Sequence, residues 1–403
     1  MTKIGKLSEQ EAIARAKAIE DEAARAQSRP ANLAAVDKVM TAAVELRAEL
    51  ATDSAALKNA DDAYSKKHLP LARFFSDSAK QDWQAVAAVA REVKADKTAL
   101  SALHETVDKL NHRRIEPTIH EVNDAFSGAR GTGLASALLA HAGRLAPMAR
   151  VNATYSDARG TGETSAILAY ASLLSGRSIA EMNDLQLAAR NSGTISALLA
   201  WTAATENKPI AGVNDTYSAA AGTGLASAML TMASLRAKVP IAAVNNNYHQ
   251  ASNSGEVSAL LALAATLSGR PIRELNSMQS AAANTAEVSA ILALGAAMSG
   301  RPITALNDLY DRATSTGRSS ALLAFAAAMT GLDIELVNEM HSAAANTGEV
   351  SAFLAMTMAE RESGKTIDPL LTAVLVAVVQ SALAAEEAAR QKQAADAAKA
   401  NET

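Results

Sequence analysis

The chain has 403 residues, 38 Lys/Arg against 42 Asp/Glu, a formal net charge of −4 and no cysteine. That length exceeds what one compact core supports, so it implies several domains or an elongated array. The charge balance lacks the Lys/Arg excess that phosphate neutralisation demands. Without Cys there is no disulfide framework, thiol nucleophile or Cys-based metal site.

Residues 1–96 read as a charged helical extension, a hairpin or coiled-coil-like arm able to support self-association. Ser8 and Glu11 form a capping box, and Arg29-Pro30 ends the helix they open. A second helix places Leu33, Val36, Met40, Val44 and Leu50 near one face, and an aromatic cluster (Phe74, Phe75, Trp83) follows His68-Leu69-Pro70. The start lacks the apolar run of a secretory signal, so a cytoplasmic protein is expected, in its own cell or in one it is delivered to. Residues 97–116 read as a degenerate N-terminal capping unit, because SALHETVDKL echoes the SALLALAATL of later repeats.

Residues 117–367 hold eight repeats. Asn recurs at 123, 152, 183, 214, 245, 276, 307 and 338, and a Ser-Ala pair lies thirteen residues after each of them. Fixed spacing near 31 residues means stacked supersecondary units. Each unit reads as two helices. Pro147, Pro209, Pro240, Pro271 and Pro302 open the first at its N1 position. Gly131, Gly160, Asn191, Gly222, Asn253, Asn284 and Asn346 suit its left-handed C′ residue, and the Thr or Ser that follows suits an N-cap. The second helix is apolar nearly all round, small on the side of Ser258, Ala259 and Ala262, and so belongs to a buried inner layer. The repeats carry 16 Lys/Arg and 19 Asp/Glu over 251 positions, which also implies covered faces.

Residues 368–403 read as a C-terminal capping helix over the last repeat with a frayed tail. Its apolar stretch, Leu370 to Leu383, is interrupted by Thr372, Gln380 and Ser381. It is shorter than the roughly twenty residues of a membrane span. The expected fold is all-α: a right-handed-type superhelical α-solenoid of eight two-helix repeats between these two extensions.

The seven His have no ligand spacing and there is no phosphate loop, so no metal, cofactor or catalytic residue is expected and the protein reads as a non-enzyme. The candidate binding residues form a ladder: Asn123, Asn152, Tyr155, Asn183, Asn214, Tyr217, Asn245, Tyr248, Asn276, Asn307, Tyr310 and Asn338. A buried amide needs partners, which gives the ladder a structural reading, as a lock between units. The functional reading has the amides lining a groove for an extended peptide. That row resembles the Asn row of armadillo-type solenoids, which implies a protein or peptide partner, and the variable residues beside it (Asp184, Asp215, Asn246, Ser277, Asp308, Glu339) would set partner choice. The two short helices joined at Asn284-Thr285 are also loosely similar to transcription-activator-like effector repeats. That similarity implies nucleic-acid binding as the alternative, supported by a short row of Arg130, Arg159 and Arg190 and opposed by Glu163, Glu256, Glu287 and Glu349 just past the loops. An enzyme built on the scaffold is the third and weakest reading.

Overall fold

A computed structural model describes residues 115–282 and 284–401. The chain divides into two units, Met1–Pro117 with Glu362–Gly364, and Thr118–Arg361 with Lys365–Thr403. The repeats lie in the second. The expected extension at 1–96 and capping unit at 97–116 fall outside the described residues, 115 and 116 apart. The architecture is all-α, with no strand among the described residues.

The first helices of the eight repeats are α1 (118–127 within this unit), α3 (Met148–Asp157), α5 (Ile179–Ala188), α7 (Ile210–Ala219), α9 (Ile241–Gln250), α11 (Ile272–Ala281), α13 (Ile303–Arg312) and α15 (Ile334–Ala343). The second helices are α2 (Gly133–Ala142), α4 (Gly162–Ser175), α6 (Gly193–Thr205), α8 (Leu225–Ala237), α10 (Gly255–Ser268), α12 (Ala286–Ser299), α14 (Gly317–Thr330) and α16 (Gly348–Ser363). A last helix, α17 (Pro369–Asn401), follows.

Local chemistry sets these boundaries, with two corrections to the expectations. Pro147, Pro209, Pro240, Pro271 and Pro302 occupy the N-cap, one position before the helix they start. The left-handed residue of the inter-helix loop is the Gly that begins the second helix. Gly133, Gly162, Gly193, Gly255, Gly317 and Gly348 have φ between 53° and 61°, whereas of the expected C′ residues only Gly160 and Asn191 show positive φ. With the backbone turned this way, Thr132, Thr161, Ser192, Ser254 and Thr316 make no side-chain cap bond, and Thr285, before Ala286, makes none either. Ser178, before α5, does form a capping box with Glu181.

The second helices form the inner layer. Each packs on the second helices beside it, while first helices touch one another far less. The Ser at the repeat's small position is at most 4% exposed in all eight copies, as are the Ala or Ser beside it. Small residues on both sides let neighbouring inner helices approach closely.

The solenoid closes on itself. The Asn123 amide donates to Ala343 O at 2.8 Å, and its oxygen accepts from Ala345 N–H at 2.9 Å, the same pair of bonds that joins six of the seven sequence-adjacent pairs of repeats. His141 of α2 meets Thr357 of α16 at 3.1 Å, Arg144 pairs with Glu360, and Arg361 pairs with Glu121. The first repeat thus packs against the eighth, and the superhelix has no free end.

Eight helices spaced about 8–10 Å apart on a circle stand roughly 10–13 Å from its axis, a little more than one helix–helix distance. The lumen therefore has room for one helix and a lining of large side chains, and it holds both. Helix α17, expected as a cap over the last repeat, instead runs along the inside of the ring. Its Asp368 pairs with Arg236 at one mouth, while Gln380 reaches Glu163 and Thr194, Ser381 reaches Glu256, and Glu386 pairs with Arg318 at the other. Between these contacts Leu370 to Val379 are buried without exception. At about 1.5 Å per residue that stretch matches the length of the inner helices beside it. Beyond Leu383 the helix leaves the ring and is exposed over 384–397.

Candidate functional site

The ladder Asn is placed by its helix to reach across to the preceding repeat. Asn183 donates to Asp157 O at 2.9 Å and accepts from Arg159 N–H at 2.7 Å, so one amide satisfies the last carbonyl of α3 and the first free N–H after it. A helix end leaves such groups without intrahelical partners. Asn152, Asn214, Asn245, Asn276 and Asn338 repeat both bonds, and Asn307 donates to Ala281 O. The amides are clasps between units, their hydrogen bonds made to the backbone of the preceding repeat.

In two repeats the residue three beyond the Asn joins the clasp. Tyr217 Oη accepts from the Asn191 amide at 2.8 Å, and Gln279 Oε1 accepts from Asn253 at 3.0 Å. Tyr155, Tyr248 and Tyr310 lie half-buried at the equivalent places. Two of the three row arginines are tied down as well: Arg130 and Arg190 bond Ser156 and Ser218 of the following repeats.

The lumen is a second surface, and it is built in layers by spacings of four, three and four along each inner helix, which put side chains on one stripe. The stripe contacts α17 at both its ends, so its middle also faces inward. One middle layer holds His141, Tyr170, Trp201, Met232, Leu263, Leu294, Phe325 and Met356, none more than 2% exposed. His141, Tyr170 and Trp201 stack edge to face across three repeats, with centroids 5.3 and 5.0 Å apart. These large side chains fill the gap between ring and axial helix that the geometry leaves.

At the mouth where α17 leaves, the equivalent residues form a polar collar: Leu134, Glu163, Thr194, Leu225, Glu256, Glu287, Arg318 and Glu349. Arg318 lies 3.5 Å from Glu287, 3.2 Å from Glu349 and 2.8 Å from Glu386. Burial pushes the Glu256 and Glu287 carboxyls above the usual range, partly offset at Glu256 by the Ser381 hydroxyl and at Glu287 by Arg318. At the opposite mouth a crevice of about 480 Å³ lies between Trp201, Arg177, Glu206, Arg236 and the start of α17.

The seam between repeats 1 and 8 carries a buried polar network. Glu360 accepts from Arg144 and, at 2.6 Å, from Ile367 N–H, and its carboxylate lies 3.2 Å from His141 Nδ1. Burial raises the Glu360 carboxyl, with Arg144 pulling the other way. Burial first, then the charges of Arg144 and Arg361, hold the His141 imidazole down at about 3. The ring is therefore neutral at pH 7, and the carboxylate beside it places the proton on Nδ1. Neither residue stood out in the sequence. The available signal was position: His141 is the one histidine in a layer that is otherwise aromatic or aliphatic, and Glu360 is the one carboxylate at its place in the repeat.

The outer wall differs from these interiors. The residue after each ladder Asn is exposed at Asp124, Ala153, Asp184, Asp215, Asn246, Ser277 and Asp308, and partly covered at Glu339. Leu187, 64% exposed, stands beside this row. No group of His, Cys, Asp or Glu able to hold a metal occurs among the described residues. Helix α17 is the one described helix with the length and hydropathy to cross a membrane, over Pro369–Ala397, and 56% of an apolar 18-residue window within it is buried. Comparison with protein-family models, with curated proteins and with solved structures finds no match to this chain.

Proposed function

We propose that the protein is a non-enzymatic, protein-binding scaffold whose partner meets the outer wall of the ring. One observation carries this reading: the exposed row after the ladder changes from repeat to repeat, while the ladder and the lumen are spent on internal contacts. A side chain free of structural duty is free to set a partner. The row at Asp124, Asp184, Asp215 and Asp308 is acidic, so the fitting partner presents a basic surface or a Lys/Arg-rich segment. Arg130 and Arg190, held on neighbouring repeats, leave the nucleic-acid reading with no comparable free row.

The test is a pull-down with the full chain as bait beside a variant carrying Asp184→Ser, Asp215→Ser and Asp308→Ser. These exposed changes leave the fold intact, as circular dichroism would verify. Loss of a partner recovered by the unaltered chain supports the outer wall as the interface. Equal recovery by both baits, or a nucleic acid that stays bound at about 200 mM salt, overturns it.

A further inference from the structure

The geometry points to the central channel as a binding site for a partner's α-helix, one with about fourteen residues of apolar sequence and Lys or Arg where α17 carries Gln380 and Ser381. This inference stands apart from the outer wall and does not depend on it.

The lumen recognises a helix by shape and apolarity. Along the buried stretch of α17 the side chains are hydrocarbon except for Thr372, and carry little sequence information; the side-chain hydrogen bonds and ion pairs of α17 with the ring lie at the two mouths. Any apolar helix of the right length presents the same surface to Leu138, Leu260 or Phe325. The resident shows what the site accepts, since α17 has the hydropathy of a membrane-crossing helix and is sheltered here by protein. Exchanging one such helix for another keeps the buried apolar area nearly constant, so the mouths decide which helix wins.

At the collar the resident is a poor electrostatic match. Glu163, Glu256, Glu287 and Glu349 point at the axis and, among the described residues, one cation of the collar, Arg318, answers them. Against this acidic ring α17 sets an amide, a hydroxyl and a further carboxylate, Glu386, which draws on the same guanidinium. The Glu287 Oε1 atom is buried with no hydrogen-bond partner. A helix with an ammonium or guanidinium at the height of Gln380 or Ser381 meets Glu163 or Glu256 directly. It gains two charge-assisted contacts in a partly desolvated place, where such contacts are strong. It needs them, because α17 is tethered and competes at an effective concentration on the order of millimolar.

The absence of native cysteine makes a clean experiment possible in the full chain. Spin labels on Ala394→Cys, in the exposed tail, and Ser280→Cys, on the outer wall, report the tail-to-ring distance by electron double resonance. Three synthetic peptides of residues 366–386 are added: the native sequence, one with Gln380→Lys and Ser381→Lys, and one with both changed to Glu. The expected result is that the basic peptide broadens the distance distribution at a concentration at least tenfold below the native one, with the acidic peptide weakest. Equal potency of the three, or an unmoved tail up to millimolar basic peptide, overturns the proposal. A second measurement needs no displacement: Ser381→Lys in the full chain raises the melting temperature at low salt, and about 1 M salt erases the gain. An unchanged or lower melting temperature means the collar has no unmet charge, and the proposal fails there too.

Discussion

Seven of the eight inter-repeat interfaces join neighbours in sequence, and the eighth joins the two ends of the array. Their outer halves are alike, since Asn123 clasps Ala343 and Ala345 as Asn183 clasps Asp157 and Arg159. Their inner halves differ. Between repeats 2 and 3 the stripe brings Tyr170 against Trp201, whereas the seam brings His141 and Arg144 against Thr357 and Glu360. Repeats so similar have many compatible ways to pair, including between copies of the chain. A buried ion pair adds little net stability over apolar packing, but it heavily penalises a partner that lacks its counterpart. The comparison teaches that the repeats supply adhesion and the seam supplies identity, so that the first repeat accepts the eighth.

The largest expected effect comes from breaking that difference. Glu360→Ala strands Arg144 and the Ile367 N–H in a buried place, and about 3–5 kcal/mol should be lost in denaturant unfolding. If the loss stays under about 1 kcal/mol, the seam is ordinary packing.

Next come the clasps. Asn245→Ala and Asn123→Ala each remove two hydrogen bonds and leave partly buried backbone groups behind, at about 1–3 kcal/mol each. Because the geometry repeats, the two losses should agree within about 0.5 kcal/mol. A much larger loss at Asn123 would show that closure rests on the clasp.

The pH dependence isolates the seam from the other interfaces. The His141 value is depressed from 6.5 to about 3, so between those values the unfolded chain binds the extra proton. Its stability is therefore complete above about 6.5 and declines as pH falls below it. Glu360 is raised, so its contribution runs oppositely, present at low pH and lost as pH rises through its elevated value. Melting temperatures of the unaltered chain and of His141→Met, the residue that repeat 4 uses there, should diverge progressively below pH 6.5, with the variant the flatter. Parallel curves would mean that His141 already carries its proton.

The smallest effects lie in the loops. Ser178→Ala removes a capping box and should cost about 1 kcal/mol, while Thr161→Ala, with no cap bond to lose, should stay within about 0.5 kcal/mol. Equal costs would restore Thr161 to the capping role that its place in the sequence suggests.

What was legible in the chain is what one repeat can state about itself. Period, helix count and the buried small face around Ser258 and Ala259 all follow from local pattern. Closure does not, because it depends on each repeat turning by one eighth of a circle, an angle set by packing between units. Two clues were nevertheless present. Asn123, in the first of the eight repeats, carries the clasp residue, which fits the far end of the array being brought to it. Gly331 to Arg361 likewise shows no polar terminal face of the kind an open solenoid needs. The site was half legible: the ladder was found, and its structural use was the alternative favoured by the chemistry of a buried amide. The collar acids were read as opposing a nucleic-acid partner just past the loops, since a residue's view of the axis depends on which face the ring turns inward. Helix α17 was read as a lid for the same reason, its apolar half giving no sign of which surface it covers.

The axial helix has a topological consequence. A chain whose C-terminal segment runs through a ring made of its own earlier residues is threaded, like an axle through a bearing. Beyond Leu383 the segment holds only Ala, Glu, Arg, Gln, Lys, Asp, Asn and Thr, with no aromatic or branched aliphatic side chain to catch in the bore. The ring repeats leave the ribosome before the axle does, so either the slim tail slides through a finished ring or the ring shuts around it. A folded domain attached after Thr403 is far wider than one helix and permits only the second route. Assembly would then proceed through the seam, whose network of His141, Arg144 and Glu360 serves as the clasp of a hinged collar.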